Sequence, residues 1–276
     1  MRAAILQMTS GIDPAANART LVDAVHAAKA GGADMMFTPE MSGLLDRDRK
    51  RAAGHLTGEA TDPVLAAVRE AARAAGIWVH LGSLALAGER DDGRLVNRGL
   101  VIDDQGAIRA RYDKMHLFDV DLATGESWRE SAAYAPGAGP VLAATPWGAI
   151  GLSVCYDLRF PALYGALSGA GADLLTVPAA FTVPTGKAHW HTLLRARAIE
   201  NAAFLIAAAQ TGTHEDGRAT YGHSLVVDPW GEILLDMAEP AGLAFADLDI
   251  AGRAAIHARV PVRDHRRLIG DVMVSS

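Results

Sequence analysis

Cysteine is nearly missing from this chain: Cys155 is the single one among 276 residues. One thiol cannot close an internal disulfide, so nothing points to an oxidising compartment and a reduced, cytoplasmic protein is expected. Positive charge is scarce too, with 26 Lys and Arg against 32 Asp and Glu. Without clustered cations to neutralise phosphates, general nucleic-acid binding is excluded. Long apolar runs are absent: none approaches the roughly eighteen residues of a membrane-spanning helix. The N-terminal run stops after Met8, too early for a secretory leader, and reads as a first strand. Aromatics make up 6%, and the five Trp are too scattered to define a ligand box. What is present is a half-hydrophobic chain able to bury a sizeable core, with no linker-like composition break, so residues 1–276 are read as one domain.

Branched apolar runs alternate with Ala-rich segments of helical period, the pattern of a layered α/β fold. Strands are expected over 3–8, 35–38, 77–86, 100–103, 150–154, 174–178, 204–209 and 225–228. Helices are expected over 17–30, 63–75, 161–168 and 189–201. "DDQGAI" and "DPWGEI" each place Gly between apolar runs, as hairpins do, so some pairing is antiparallel. "GADMMFTP" (Gly32 to Pro39) echoes "GADLLTVP" (Gly171 to Pro178). Two similar helix-to-strand junctions explain the echo; a pseudo-symmetric pair of sheets is the sharper reading.

By residue type alone, Cys155 is a small buried hydrophobe or a nucleophile. Its place at a strand end before a helix favours the second, since a positive helix end stabilises thiolate. Glu40, just past the strand in "FTPEMSG", is poorly placed for solvent, and burial would raise its pKa and suit it to proton transfer. Lys114 in "RYDKMHLFD" carries little weight alone. The histidines His189, His191, His214 and His223 form no metal motif: "HWH" spaces two of them at i and i+2, on different helix faces, so no metal is expected. Gly165, Gly169 and Gly171 have the wrong spacing for a dinucleotide loop. Arg195, Arg197 and Glu200 read as a solvated helix face with ion pairing as the alternative, and Trp190 and Phe181 as core or pocket wall.

Glu40, Lys114 and Cys155, in that chain order, resemble the Glu-Lys-Cys triad of the nitrilase superfamily of carbon-nitrogen hydrolases. The likeness continues through Glu130 in "RES", through "AAF", and through "GKAHWHTLLRARAIENAAFLIAAAQTG" and "YGHSLVVDPWGEI", blocks similar to the Nit branch. The resemblance implies a four-layer α-β-β-α sandwich, a homodimer or higher homo-oligomer, and a cofactor-free amidase. It implies that Glu40 takes the Cys155 proton and that the thiolate attacks an amide carbonyl. Lys114 and the Tyr156 N–H would hold the oxyanion, and Glu130 would help to position the water that releases the acid. Asp157 and Arg159 are expected to pair and fix the loop that aims Cys155.

The same blocks imply a small anionic amide as substrate. Deaminated glutathione is the first expectation, 2-oxoglutaramate-like acids the second, another amide or carbamoyl compound the third. An anionic substrate in an acidic protein needs a local cation, for which Lys187 is the candidate, with Phe181 as pocket wall. A non-enzymatic interaction protein has no need of the triad, and a lipoprotein acyltransferase would carry membrane helices. Two features depart from the pattern: His191 stands where Nit sequences commonly have glutamate, and the tail "LIGDVMVSS" lacks the family's short aromatic ending.

Overall fold

The computed structural model describes residues 1–88, 92–121, 125 and 127–274. Its twelve principal strands are β1 (Arg2–Gln7), β2 (Met35–Phe37), β3 (Trp78–Ala87), β4 (Leu95–Ile102), β5 (Ile108–Asp113), β6 (Val141–Thr145), β7 (Gly148–Leu152), β8 (Leu174–Thr176), β9 (Phe204–Ala207), β10 (Leu225–Val227), β11 (Ile233–Asp236) and β12 (Gly242–Asp247). They form two six-stranded sheets, in the orders β12-β1-β2-β3-β4-β5 and β11-β10-β9-β8-β7-β6. The major helices are α1 (Pro14–Ala30), α2 (Pro63–Ala75), α3 (Pro161–Gly169) and α4 (Val183–Asn201).

Side-chain alternation explains the layering. Ala3 and Ile5 of β1, with Met35 and Phe37 of β2, enter a core shared with the second sheet. Ala4, Leu6 and Met36, on the opposite face, pack instead with Leu21 and Val25 of α1 and Leu65 and Val68 of α2. A sheet apolar on both faces must be covered on both. The second sheet is covered likewise by Tyr164 and Leu167 of α3 and Trp190 and Leu194 of α4. The order is therefore helix, sheet, sheet, helix, the four-layer sandwich expected.

The internal echo proves to be architectural. β1, β2 and β3 are parallel with antiparallel β4 and β5 beyond them; β7, β8 and β9 are parallel with antiparallel β10 and β11 beyond. β12 and β6 flank the two sets antiparallel, and the echoed segments become β2 and β8, the equivalent strands.

Local signals set the helix ends. Asp13 and Asp62 cap α1 and α2, accepting hydrogen bonds from the Ala15 and Leu65 N–H groups, each followed by Pro in the first turn. Both expected hairpins form, with Gly106 at φ 74° and Gly231 at φ 88°. The four strands not expected from the sequence, β5, β6, β11 and β12, are the edges of the two sheets and are largely half-exposed. Helix α4 begins at Val183, six residues before the expected start at 189, with Pro184 in its first turn, where proline costs no hydrogen bond. Among the described residues, no helix is long and apolar enough to cross a membrane.

Candidate active site

Glu40 stands three residues beyond β2, over a gap that only glycine leaves open. A Cβ at Gly82 on β3 would collide with the carbonyls of Thr38 and Pro39, while the Gly82 N–H donates to Thr38 Oγ1 at 2.9 Å. The Glu40 side chain is buried and fully engaged. Its Oε1 accepts from Lys114 Nζ at 3.0 Å and from Asn97 Nδ2 at 2.8 Å; its Oε2 accepts from the Ala180 N–H at 2.9 Å. Lys114, immediately after β5, also donates to both oxygens of Glu130, at 3.0 and 2.8 Å. Glu130 Oε2 accepts in addition from the Phe118 N–H at 2.6 Å. One ammonium thus bridges two carboxylates.

Cys155 begins a single 3₁₀ turn, Cys155–Arg159, at φ 51°. A left-handed φ at a side-chain-bearing residue costs about 1–3 kcal/mol and needs its surroundings to hold it. Asp157 does much of that holding. Fully buried, it accepts from the Val154 N–H at 2.8 Å, the Tyr112 hydroxyl at 2.7 Å and the His116 N–H at 3.0 Å. The His116 ring adds Nδ1 at 2.7 Å from Asp157 Oδ1. Tyr112 belongs to β5, so Asp157 ties the Cys155 turn to the strand that delivers Lys114. The Cys155 N–H donates to the Pro178 carbonyl at 2.9 Å, and Arg197 Nε donates to that of Leu158 at 3.0 Å.

The two expected roles of Asp157 and Arg159 therefore separate. Asp157 fixes the loop, but through Tyr112, His116 and Val154; Arg159 lies over the Tyr156 and Phe181 rings, its Nη1 at 3.3 Å from His189 Nδ1. Arg197, expected on a solvated face, is buried as a clamp on the turn and pairs with Glu200 at 2.9 Å.

Electrostatics reverse two of the expectations. Burial pushes Glu40 up, but the Lys114 charge and hydrogen bonds from Cys155, Lys114 and Asn97 prevail, and its pKa falls below the usual carboxylate value. Burial, reinforced by the Glu40 charge, pushes the Cys155 thiol well up, and Lys114 opposes this only in part. The expected helix forms as α3, but the turn Cys155–Arg159 stands between Cys155 and its start at Pro161, beyond the first turn over which a helix end acts. Burial would lower Lys114, yet Glu130 and Glu40 raise it well above its ordinary value. The resting cluster holds a carboxylate, an ammonium and a neutral thiol, titrating as a unit.

These groups open onto a cavity of about 750 Å³ whose lining includes Glu40, Lys114, Glu130, Cys155, Tyr156 and Phe181. Lys187 is not among its walls; it is exposed on α4. The mouth instead carries Arg47, Arg49, Arg94, Arg129 and Arg218. Arg94, Arg129 and Arg218 are paired with Asp92, Asp121 and Asp216. The Arg49 guanidinium donates to the Arg129 carbonyl and, like that of Arg47, has no carboxylate partner among the described residues. Asn97 and the Ala180 N–H, both bound to Glu40, escaped the sequence reading because one comes from β4 of the first sheet and the other from the loop after β8 of the second.

A family model described as carbon-nitrogen hydrolase matches residues 2–258. A Yersinia enterocolitica protein named deaminated glutathione amidase is 38% identical over 98% of this chain and 94% of its own. The crystal structure of Caenorhabditis elegans NitFhit superposes with a TM-score of 0.88 at 39% identity, covering 96% of this chain and 65% of that longer one. An amidase from Nesterenkonia sp. AN1, solved after Michael addition of acrylamide at its active-site cysteine, gives 0.78 at 29% identity over 94% of this chain and 98% of its own. A full-length match of this kind, over a sandwich with a carboxylate, an ammonium and a thiol gathered at its strand ends, places the chain in the carbon-nitrogen hydrolase family, as an enzyme that cleaves amide C–N bonds.

Proposed function

We propose that Cys155 is the nucleophile of a cofactor-free amidase and Glu40 its proton shuttle. The observation that carries this reading is the buried Glu40 carboxylate, ion-paired with Lys114 at 3.0 Å in the cavity that Cys155 also lines. Glu40 removes the Cys155 proton as sulfur attacks the amide carbon, so thiolate forms only when it is consumed. Lys114 Nζ and the Tyr156 N–H stabilise the oxyanion; a lost donor of this kind costs about 2.7–4 kcal/mol. The C–N bond then breaks, Glu40 returns the proton to the departing nitrogen, and a thioester remains. Water, oriented by Glu130 and deprotonated by Glu40, attacks the thioester; the acid leaves and the proton returns to sulfur.

The substrate that fits best is deaminated glutathione, cleaved at its γ-amide bond. A cavity of about 750 Å³ is larger than a five-carbon amide needs, and Arg47 and Arg49 at its mouth suit a distant carboxylate. The 2-oxoglutaramate reading has no such feature in its favour. The reading includes one domain over residues 1–276, a cytoplasmic setting that keeps the thiol reduced, and a homodimer. Leu268, Ile269, Val272, Met273 and Val274, nearly fully exposed in the tail, are apolar surface that a second copy would cover.

The deciding experiment compares release of 2-oxoglutarate from deaminated glutathione and from 2-oxoglutaramate, with Cys155→Ala as control. Cys155-dependent release strongly favouring deaminated glutathione is expected. Preference for 2-oxoglutaramate would transfer the chain to the ω-amidases, and release of neither would overturn the substrate assignment.

A further inference from the structure

The second sheet carries a group of side chains that the hydrolytic reading leaves unused. His191 on α4, His223 just before β10 and Asp236 at the end of β11 turn their polar atoms toward one another. His191 Nε2 lies 3.0 Å from Asp236 Oδ2, and His223 Nδ1 lies 2.9 Å from Oδ1 and 3.2 Å from Oδ2. The three ligand-capable atoms all fall within 4.8 Å of one another. None of these residues lines the amidase cavity.

The donor set is chemically specific. Two imidazole nitrogens and a carboxylate oxygen suit zinc and its neighbours, whose bonds of about 2.0 Å put tetrahedral ligands about 3.3 Å apart. The observed nitrogen-to-oxygen separations are already close to that edge. Exposure is also suitable: the side chains are 32%, 20% and 32% exposed for His191, His223 and Asp236, leaving one side of the group to water.

The backbone around the group is braced as a ligand site requires. Trp190, next to His191 and fully buried, donates its indole N–H to the His223 carbonyl at 2.8 Å. His223 is held at φ 54°, and its N–H donates to the Ala238 carbonyl at 2.6 Å. Ala238 in turn donates its N–H to Asp236 Oδ1 at 2.8 Å. Outer partners of this kind orient metal ligands in advance.

We propose that His191, His223 and Asp236 form a binding site for a divalent transition cation of the zinc type, with water completing the coordination. The cation would join α4 to β10 and β11 and stabilise the fold by mass action, since the unfolded chain has no such site.

The test is a calorimetric titration with Zn²⁺ of the full chain carrying Cys155→Ser, which removes the one thiol that would itself take up zinc. One saturable site of micromolar Kd or tighter is expected, with a rise in Tm. His191→Gln keeps a hydrogen-bond donor to Asp236 but removes the imidazole; it should weaken binding about tenfold or more and abolish the Tm rise. His223→Ala should do the same. Co²⁺ should give visible absorption of a four- or five-coordinate site in the parent and not in either variant. Absence of saturable Zn²⁺ binding below about 100 μM, or binding of unchanged affinity in both variants, would overturn the proposal.

Discussion

The two halves of the molecule share one plan and carry different groups on it. β2 and β8 occupy equivalent places, and each leads to a proline, Pro39 and Pro178. After Pro39 comes Glu40; after Pro178 come Ala179 and Ala180, and Ala180 contributes its N–H to Glu40 Oε2. The neighbouring strands diverge in the same way. Ala3 pairs with Met35 as Ile150 pairs with Leu174, and five residues onward stand Met8 in one half and Cys155 in the other. The carboxylate thus comes from the first half and the thiol from the second, so only the packed pair of sheets assembles a reactive centre.

Breaking one side of that comparison should cost activity, and breaking its counterpart should cost only stability. Cys155→Ala is expected to lower kcat by about four orders of magnitude or more, measured by product release. Its counterpart Met8→Ala should lose about 2–5 kcal/mol of unfolding free energy for a buried methionine, with kcat per folded molecule retained.

Glu40→Gln, which preserves shape, should lower kcat about 10²–10⁴-fold through loss of the proton shuttle. The pH profile sharpens this. With the Glu40 pKa depressed, wild-type kcat/KM should hold down to the usual carboxylate range and fall only below it. The residual activity of Glu40→Gln should climb into the alkaline range instead, because the thiol must then ionise by itself.

At the cavity mouth, Arg47→Ala should raise KM for an anionic amide about tenfold with kcat kept, as removal of uniform binding does. Lys187→Ala, on the exposed side of α4, should leave both parameters unchanged.

A smaller contrast lies between β3 and β9, where the pairings set His80 opposite Phe37 and Ile206 opposite Thr176. Burial lowers the His80 pKa from 6.5 to about 3. Its folded pKa is depressed, so the stability linked to neutral His80 is complete above pH 6.5 and drains away as pH falls from 6.5 toward 3. Denaturation between these limits should show a slope near 1.4 kcal/mol per pH unit that His80→Ile removes.

The candidate groups gathered at the cavity were more legible in the sequence than their surroundings. Glu40, Lys114, Glu130 and Cys155 each sit in a local motif, and motifs survive in one dimension. Asn97, the Ala180 N–H and the Tyr112 clamp on Asp157 reach the site across strands and sheets, and no local pattern marks such contacts. The same limit explains the errors in ionisation: burial of Glu40 was foreseen, but its sign depends on an ammonium 74 positions away. Lys187 failed as a pocket residue because α4 starts at Val183, which turns that lysine outward. Local spacing and the absence of a metal motif argue against the histidines as ligands, whereas His191 meets His223 and Asp236 through the fold.

The central claim, that Cys155 forms a thioester while Glu40 moves the protons, is tested most directly by mass spectrometry. Wild type and Glu130→Gln would be mixed with deaminated glutathione, quenched in acid during turnover, digested and mapped. The account predicts the 2-oxoglutaryl mass on the peptide holding Cys155, accumulating further in Glu130→Gln because water attack is slowed. Acid released at full rate with Cys155 never carrying that mass, or carrying it only on another residue, would contradict the account.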